Sequence, residues 1–473
     1  MLVKKVNDID WLKLIFFSTI LLVLNTKIQG QISINSKKYN FINNDRNFLE
    51  FDNLNLNPFV EKFKNNKKFI VAHFGDSHIQ PDHLTGYIRK ELQNLKGDGG
   101  RGMIFPYSIA KTYSQADYKS VFSGKWRSAN SIHKTPKIPL GISGFSATTS
   151  DSNASFKVLF STSISSQGVS LYITNIESNY EIKLKSGRDI NNLEVIKLSP
   201  STTRLNFKID NKIDSLEFLF HKKSGSHDSL TVRGVYLDKD TTGIIYNNLG
   251  VGGAAFESIL KQKYFDEEII SIQPDLVVLD WGSNDILYTN CLDTSLPKII
   301  IQTINRVRKL LPTTMILLTS TQDMNRKGVN ISVAGEFSKM IRKIAFDNGC
   351  LLYDWYRVSG GENSMINWVT NQLAREDNIH LTKFGYEIKG SLLLDAFNKT
   401  IDSVKKNGVI KNLIIENSIS DYNDLLLKNC IITPKISKYK PAIYKRKKNI
   451  KKKPSTKSKI SARKVKVSSK QKK

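Results

Sequence analysis

Apolar positions along the chain fall into two textures. From about 67 to 110, and again from 244 to 400, short apolar runs alternate with stretches of helical spacing. The runs at 67–74 (KKFIVAHF), 276–279, 315–318 and 351–353 are β-rich and bounded by turn residues, as strands buried on both faces are. Helical patterns lie at 87–95, 256–270, 296–311, 333–346 and 383–394. Strands alternating with helices of this length predict an α/β fold: a parallel sheet with helices on its faces.

Between about 112 and 241 the period changes to two. Alternating runs at 156–160, 169–173, 180–184, 204–209, 215–220 and 230–235 are separated by turn clusters such as Ser-Ser-Gln-Gly at 165–168. That spacing predicts an antiparallel β-sandwich inserted into the α/β domain. The expected organisation is therefore 58–111 and 242–400 as two parts of one domain, split by an insert at 112–241. A poorly patterned extension at 401–444 and a low-complexity tail at 445–473 follow.

The first 30 residues have a charged start, an eleven-residue run at 14–24 that is apolar but for Ser18 and Thr19, and a polar exit. This is the pattern of a secretory signal peptide, with an uncleaved anchor as the alternative. The run is short of the roughly 20 residues that a membrane span needs. The expected location is outside the cytoplasm: periplasmic, envelope-associated or secreted.

Composition changes this picture in one respect. With 473 residues, 40% apolar and only three cysteines, the chain is neither disordered, collagen-like nor a disulfide framework. Its formal charge of +28 suggests a nucleic-acid binder until it is located. Fifteen Lys and Arg and no acid lie in 445–473, which leaves +13 on the other 444 residues. The tail is better read as a tether to anionic envelope polymers than as part of a basic fold. Cys350 sits in an apolar run as a small buried hydrophobe, and Cys291 and Cys430 are free to pair in an oxidising compartment.

Gly75-Asp76-Ser77 stands where the first strand ends and a helix begins, so a hydroxyl there can project over the sheet edge beside free helix N–H groups. The same triplet also suits an ordinary helix cap. A nucleophilic serine needs a base. His380, the only histidine in the last half of the chain, lies in Asp377-Asn-Ile-His, directly before a helix that Thr382 can cap. Asp and His three apart on one turn can face one cleft, the carboxylate fixing the imidazole tautomer. Backbone donors come from Asn248-Leu-Gly-Val-Gly-Gly253 after a strand at 243–246, and an amide donor from Asn284 after the strand at 276–279. Asn284 is thereby expected at the same carboxyl-end edge as Ser77, where α/β sites form. His73, His78 and His83 do not make a metal site, since the first lies on the strand and the others beyond its turn.

The order Gly-Asp-Ser, Gly-rich loop, Gly-Ser-Asn-Asp, Asp-x-x-His resembles the SGNH (GDSL) hydrolases over 67–110 and 242–400. The resemblance implies the three-layer α/β/α form of this fold, no metal and no organic cofactor. It implies Ser77 as nucleophile, His380 as general base and Asp377 as its orienting partner. The oxyanion hole would be the Ser77 and Gly253 backbone N–H groups and the Asn284 side chain, with Gly250 as the alternative glycine.

The longer text His73-Phe-Gly-Asp-Ser-His-Ile-Gln, followed by Gly97-Asp-Gly-Gly-Arg-Gly-Met-Ile-Phe-Pro, is similar to an exported bacterial subgroup that includes peptidoglycan O-acetylesterases. That subgroup carries a β-sandwich resembling a carbohydrate-binding module between its first two blocks, and here 172 positions separate His78 from Gly250. The third block departs from the subgroup, reading Trp-Gly-Ser-Asn-Asp where Gly-Thr-Asn-Glu is favoured, which leaves the substrate open. His78, beside the nucleophile, either contacts substrate or packs. The expected activity is removal of O-acetyl groups from a wall glycan, peptidoglycan first among them. The alternatives are an esterase or acyltransferase on another acylated polysaccharide or lipid, and a non-catalytic glycan binder.

Overall fold

The computed structural model describes residues 38–407, apart from 66, 175–179, 187–188, 191–192, 200–201, 224 and 226–227. The signal segment 1–30, Cys430, most of the 401–444 extension and the 445–473 tail lie outside the described residues. Six parallel strands form one sheet: β1 (Lys68–Gly75), β2 (Asp98–Gly100), β3 (Gly243–Gly250), β4 (Leu276–Asp280), β5 (Met315–Thr319) and β6 (Leu351–Tyr353). Their order is β6-β5-β4-β1-β3-β2, with β1 between β3 and β4.

Side-chain alternation on these strands builds two cores. Phe69 and Val71 of β1 face one way, against Leu84, Ile88 and Leu92 of the helix His83–Lys96 and Leu393 and Phe397 of the helix Lys383–Asn407. Ala72 and Phe74 face the other way, toward Ile300 and Ile304 of Leu296–Leu310 and Phe337 and Ile341 of Val333–Asp347. The result is the three-layer α/β/α arrangement expected from the pattern.

One predicted helix, 256–270, is two pieces: a 3₁₀ turn at Phe256–Lys261 and an α-helix at Phe265–Ile272. The guanidinium of Arg306 accounts for the break. It donates to the carbonyls of Ile259 (2.7 Å) and Gln262 (2.9 Å), acceptors that a continuous helix would keep for itself.

Among the described residues the antiparallel sheet has ten strands, nine within 112–241 and the tenth, Gly102–Ile104, ahead of it, and its two longest strands are Asn153–Thr174 and Thr202–Lys222. Each merges two of the predicted runs. The Ser-Ser-Gln-Gly cluster is not a turn between strands but an irregularity within one, where the ladder shifts register between Lys208 and Asn211. Ser166 Oγ donates there to the carbonyls of Gly168 (2.7 Å) and Asp238 (2.8 Å). The rings of Phe207 and Phe218, on the same strand, lie 5.9 Å apart. Eleven residues of straight strand would span about 36 Å. The strand therefore doubles back, and one hydrogen-bonded sheet makes both layers of the sandwich.

The insert shares a core with the parallel sheet: Phe156, Leu171 and Phe218 belong to the same buried cluster as Ala72, Phe74 and Ile245. A fully buried ion pair joins Arg233 of the insert to Glu268, whose other carboxylate oxygen accepts the Ile142 N–H at 2.7 Å.

The chain ahead of residue 58 is also packed. Glu50 forms a bridge to Leu352, and buried Arg342 pairs with both Glu50 (2.9 Å) and Asp354. The last helix runs to Asn407, beyond the predicted 394, and buries Ile401 and Val404. Cys350 is a buried free thiol. Among the described residues no helix is long and apolar enough to cross a membrane.

Candidate active site

β1 leaves the sheet through a turn so tight that a Cβ at Gly75 would lie 2.2 Å from Ile79 Cγ1. The Asp76 carbonyl accepts the N–H groups of Ile79 (3.1 Å) and Gln80 (3.0 Å), and Asp76 Oδ1 accepts that of His78 (2.8 Å). This fixes Ser77 at the carboxyl end of the central strand. Its Oγ is 2.8 Å from His380 Nε2, and His380 Nδ1 is 2.8 Å from Asp377 Oδ2.

His380 is held on its backbone as well as its ring. Asp377 Oδ1 accepts the N–H groups of Ile379 and His380, both at 2.9 Å. Asn378, between them, takes a left-handed turn (φ 57°), and Arg375 N–H donates to the His380 carbonyl at 2.8 Å. Burial pushes the Asp377 carboxyl up, but the His380 bonds and the backbone N–H groups outweigh it and bring it down to about 2. Ionised Asp377 can only accept, so Nδ1 carries the proton and Nε2 is left to receive the one on Ser77. Thr382 Oγ1 accepts the Gly385 N–H at 3.2 Å, capping the helix Lys383–Asn407. The Asp377–His380 turn is thus a helix entrance and a base-holding turn at once.

The Gly-rich loop settles beside Ser77 through a bond from Val251 N–H to the Gly75 carbonyl at 3.0 Å. Most of its donors are occupied: Gly250 N–H by Asn248 Oδ1 (3.0 Å), Gly252 N–H by Gln80 Oε1 (2.6 Å) and Ala254 N–H by the Val251 carbonyl (2.9 Å). Among the described residues neither Ser77 N–H nor Gly253 N–H has a hydrogen-bond partner. Gly253 has φ 86°, a conformation that glycine adopts without strain. Asn284 arrives from the loop after β4. Its Nδ2 donates to Asp76 Oδ2 (3.0 Å) and to the Ala254 carbonyl (2.9 Å). Burial raises the Asp76 carboxyl to about 7.

His78 does not face the opening. It is 4% exposed, its Nδ1 is 2.8 Å from the Tyr386 hydroxyl, and its ring lies 5.0 Å from that of His380. Of the two roles the sequence leaves open, substrate contact or packing, its surroundings here are those of a side chain packed behind His380. Burial first, and then the nearness of His380, hold its pKa well below the imidazole range.

Two residues that sequence reasoning passed over hold the site together. Gln322 donates to the Ile379 carbonyl (2.7 Å), between the acid and the base, and accepts from Trp355 Nε1 (3.1 Å). Gln80 clamps Gly252. Only its place three residues after Ser77 hints at such a role.

The other two nearby histidines stand apart. His73 Nδ1 is 2.8 Å from the Tyr246 hydroxyl and His83 packs on Tyr386. Among the described residues no three His, Cys, Asp or Glu side chains are grouped to hold a metal ion.

A serine, a histidine and a carboxylate linked in series, beside two unoccupied backbone donors, can carry out acyl transfer. Residues 225–388 match the GDSL-like Lipase/Acylhydrolase family. Over those residues the chain is similar to the GDSL-like acylhydrolases. Fold and family together make the protein a serine ester hydrolase. The family match begins within the insert and does not reach Gly75-Asp76-Ser77, because the 112–241 segment separates that block from the rest.

Among solved structures, a peptidoglycan O-acetylesterase is similar over 75% of this chain and 99% of its own, with 22% identity and a TM-score of 0.61. This chain thus shares the fold of that protein over three quarters of its length. A GDSL-like lipase from Bacteroides thetaiotaomicron is 20% identical over 33% of this chain and 76% of its own, TM-score 0.26. An acetylxylan esterase from Geobacillus stearothermophilus is 18% identical over 36% and 76%, also at TM-score 0.26. No curated protein matches the chain by sequence.

Proposed function

We propose that this protein removes O-acetyl groups from a cell-envelope glycan, peptidoglycan first among them, with Ser77 as nucleophile, His380 as general base and Asp377 as its orienting partner. The observation that carries the reading is the continuous chain Asp377–His380–Ser77, two bonds of 2.8 Å each, ending beside the free N–H groups of Ser77 and Gly253. The solved peptidoglycan O-acetylesterase of the same fold supports the choice of substrate.

Ser77 Oγ attacks the acetyl carbonyl while its proton passes to His380 Nε2. The carbonyl oxygen takes up negative charge facing the Ser77 and Gly253 N–H groups. Asn284 joins them by turning one amide hydrogen away from Asp76 or Ala254. The tetrahedral adduct expels the sugar oxygen, which takes the proton from His380, and leaves acetyl-Ser77. Water then gives a proton to His380 and its oxygen to the acetyl carbon. Acetate departs and Ser77 recovers its proton. Asp377 stays ionised throughout and stabilises the imidazolium.

The setting follows from the sequence: the apolar 14–24 segment exports the chain, and the cationic tail retains it among anionic envelope polymers. The deciding measurement is acetate release from O-acetylated peptidoglycan by wild type and Ser77→Ala side by side. Release by wild type, reduced at least 10³-fold in the variant, is expected. Equal release by both would overturn the assignment of Ser77.

A further inference from the structure

The insert does not stand aside from the site. Gln80, three residues after Ser77 and 1% exposed, uses its whole amide to tie the insert's first residues to the oxyanion loop. Its Oε1 accepts the Gly252 N–H at 2.6 Å, while its Nε2 donates to the Tyr113 carbonyl at 2.8 Å and to Thr112 Oγ1 at 3.3 Å. The Tyr113 backbone is thereby fixed, through one buried side chain, to the glycine next to Gly253.

The Tyr113 side chain turns over that same glycine. A Cβ at Gly252 would come within 2.7 Å of the Tyr113 hydroxyl, so the ring reaches this position only because residue 252 has no side chain. Tyr113 also lies within electrostatic reach of Tyr386, whose hydroxyl bonds His78 behind the base. Yet the ring remains 46% exposed. A second insert residue, Ile132, is 42% exposed and would stand 3.5 Å from a Cβ at Gly253.

A scattered exposed aromatic needs no explanation. This one is anchored through the three hydrogen bonds of the buried Gln80 side chain, is admitted by a glycine, and lies over the residue next to Gly253. An aromatic face held open to solvent at such a place suits the apolar face of a pyranose, whose C–H groups carry slight positive charge toward the ring's negative face.

We propose that Tyr113 is the platform on which a sugar ring of the acylated glycan stacks, and that Ile132 walls the acyl end beside Gly253. This rests on the reading of the site as a glycan esterase and names the part that recognises the sugar. The inserted domain then supplies specificity at the reacting centre itself, not only glycan affinity at a distance.

The test compares Tyr113→Ala and Tyr113→Phe with wild type on O-acetylated peptidoglycan and on p-nitrophenyl acetate, which has no sugar. For Tyr113→Ala, kcat/KM on the glycan is expected to fall about 10- to 100-fold, mostly through KM, and on p-nitrophenyl acetate at most about threefold. Tyr113→Phe keeps the stacking face and should retain most of the glycan activity. Equal losses on both substrates, or no loss on the glycan, would overturn the proposal. If wild type cleaves p-nitrophenyl acetate but not peptidoglycan, the substrate reading fails instead. Tyr113 is then judged by the same ratio on acetylated xylan, and a ratio that does not move on any acetylated polysaccharide the wild type accepts overturns the platform as well.

Discussion

The imidazole of His78 lies 5.0 Å from that of His380 and is tilted 30° to it, a near-parallel backing for the ring that touches Ser77. His78 is kept neutral by burial and is held by the Tyr386 hydroxyl, so it supports its neighbour without competing for the proton. His78→Ala should therefore lower kcat by about tenfold with little change in KM, because a loosened base loses alignment rather than substrate. Steady-state kinetics on p-nitrophenyl acetate decides. A raised KM at constant kcat would make His78 a substrate contact after all.

Two carboxyls of the site give opposite pH signatures. Asp377, at about 2 in the folded protein against an ordinary 3.8, contributes stability that is present above about pH 4 and lost as pH falls toward 2. Its side chain is 43% exposed, so solvent screening keeps the effect small. Asp76, raised to about 7, holds a proton that the unfolded chain has released, so its contribution to stability falls as pH rises from about 4 to 7. Denaturant midpoints against pH for wild type, Asp377→Asn and Asp76→Asn give the two difference curves. A difference for Asp76→Asn that stays flat between pH 4 and 7 would contradict the assignment.

Gly75 and Gly253 should fail differently when replaced. A methyl at Gly75 meets Ile79 Cγ1 at 2.2 Å and the Asp280 carbonyl at 2.9 Å, so Gly75→Ala displaces the turn that carries Ser77 and should cost roughly 1–3 kcal/mol as well as activity. A methyl at Gly253 meets nothing closer than Ile132 Cγ2 at 3.5 Å, and the cost there is the left-handed backbone, about 1–2 kcal/mol. Thermal unfolding and turnover together separate the cases: Gly253→Ala should fold but lose turnover through a misplaced donor.

Removing residues 445–473 takes away fifteen positive charges and no negative ones. The shortened protein should wash from isolated envelopes at low salt, where the full chain is retained, and should hydrolyse p-nitrophenyl acetate at the full-length rate. A collapse in turnover would instead make the tail part of the fold.

Much of this architecture is legible before any coordinates because its signals are local. β4, β5 and β6 are apolar on both faces, so their runs stand out within a few residues. Ser77, Asp377 and His380 stand out because acyl transfer demands those residue types together, and the structure sets them in hydrogen-bonded series; Gly253 and Asn284 come from the family resemblance. Distant partners hide the rest. The break within 256–270 is made by Arg306 some forty residues later, and the place of His78 by rings more than three hundred positions away. Likewise, the Ser-Ser-Gln-Gly cluster reads as a turn until the neighbouring strand shows it to be a kink.

β1 and β3 run side by side in a register that pairs Lys68 with Gly243 and Gly75 with Gly250, a constant separation of 175 positions. The serine and the loop that faces it are thus neighbours across a closure that encloses the entire sandwich. Such a long-range pairing is entropically costly and slow unless the intervening chain has already compacted. During synthesis, Ser77 emerges long before the strand that completes its surroundings, and it waits on the insert. The sandwich therefore bears on assembly as well as on surroundings: until the chain closes around it, Ser77 lacks the glycine loop that lies beside it.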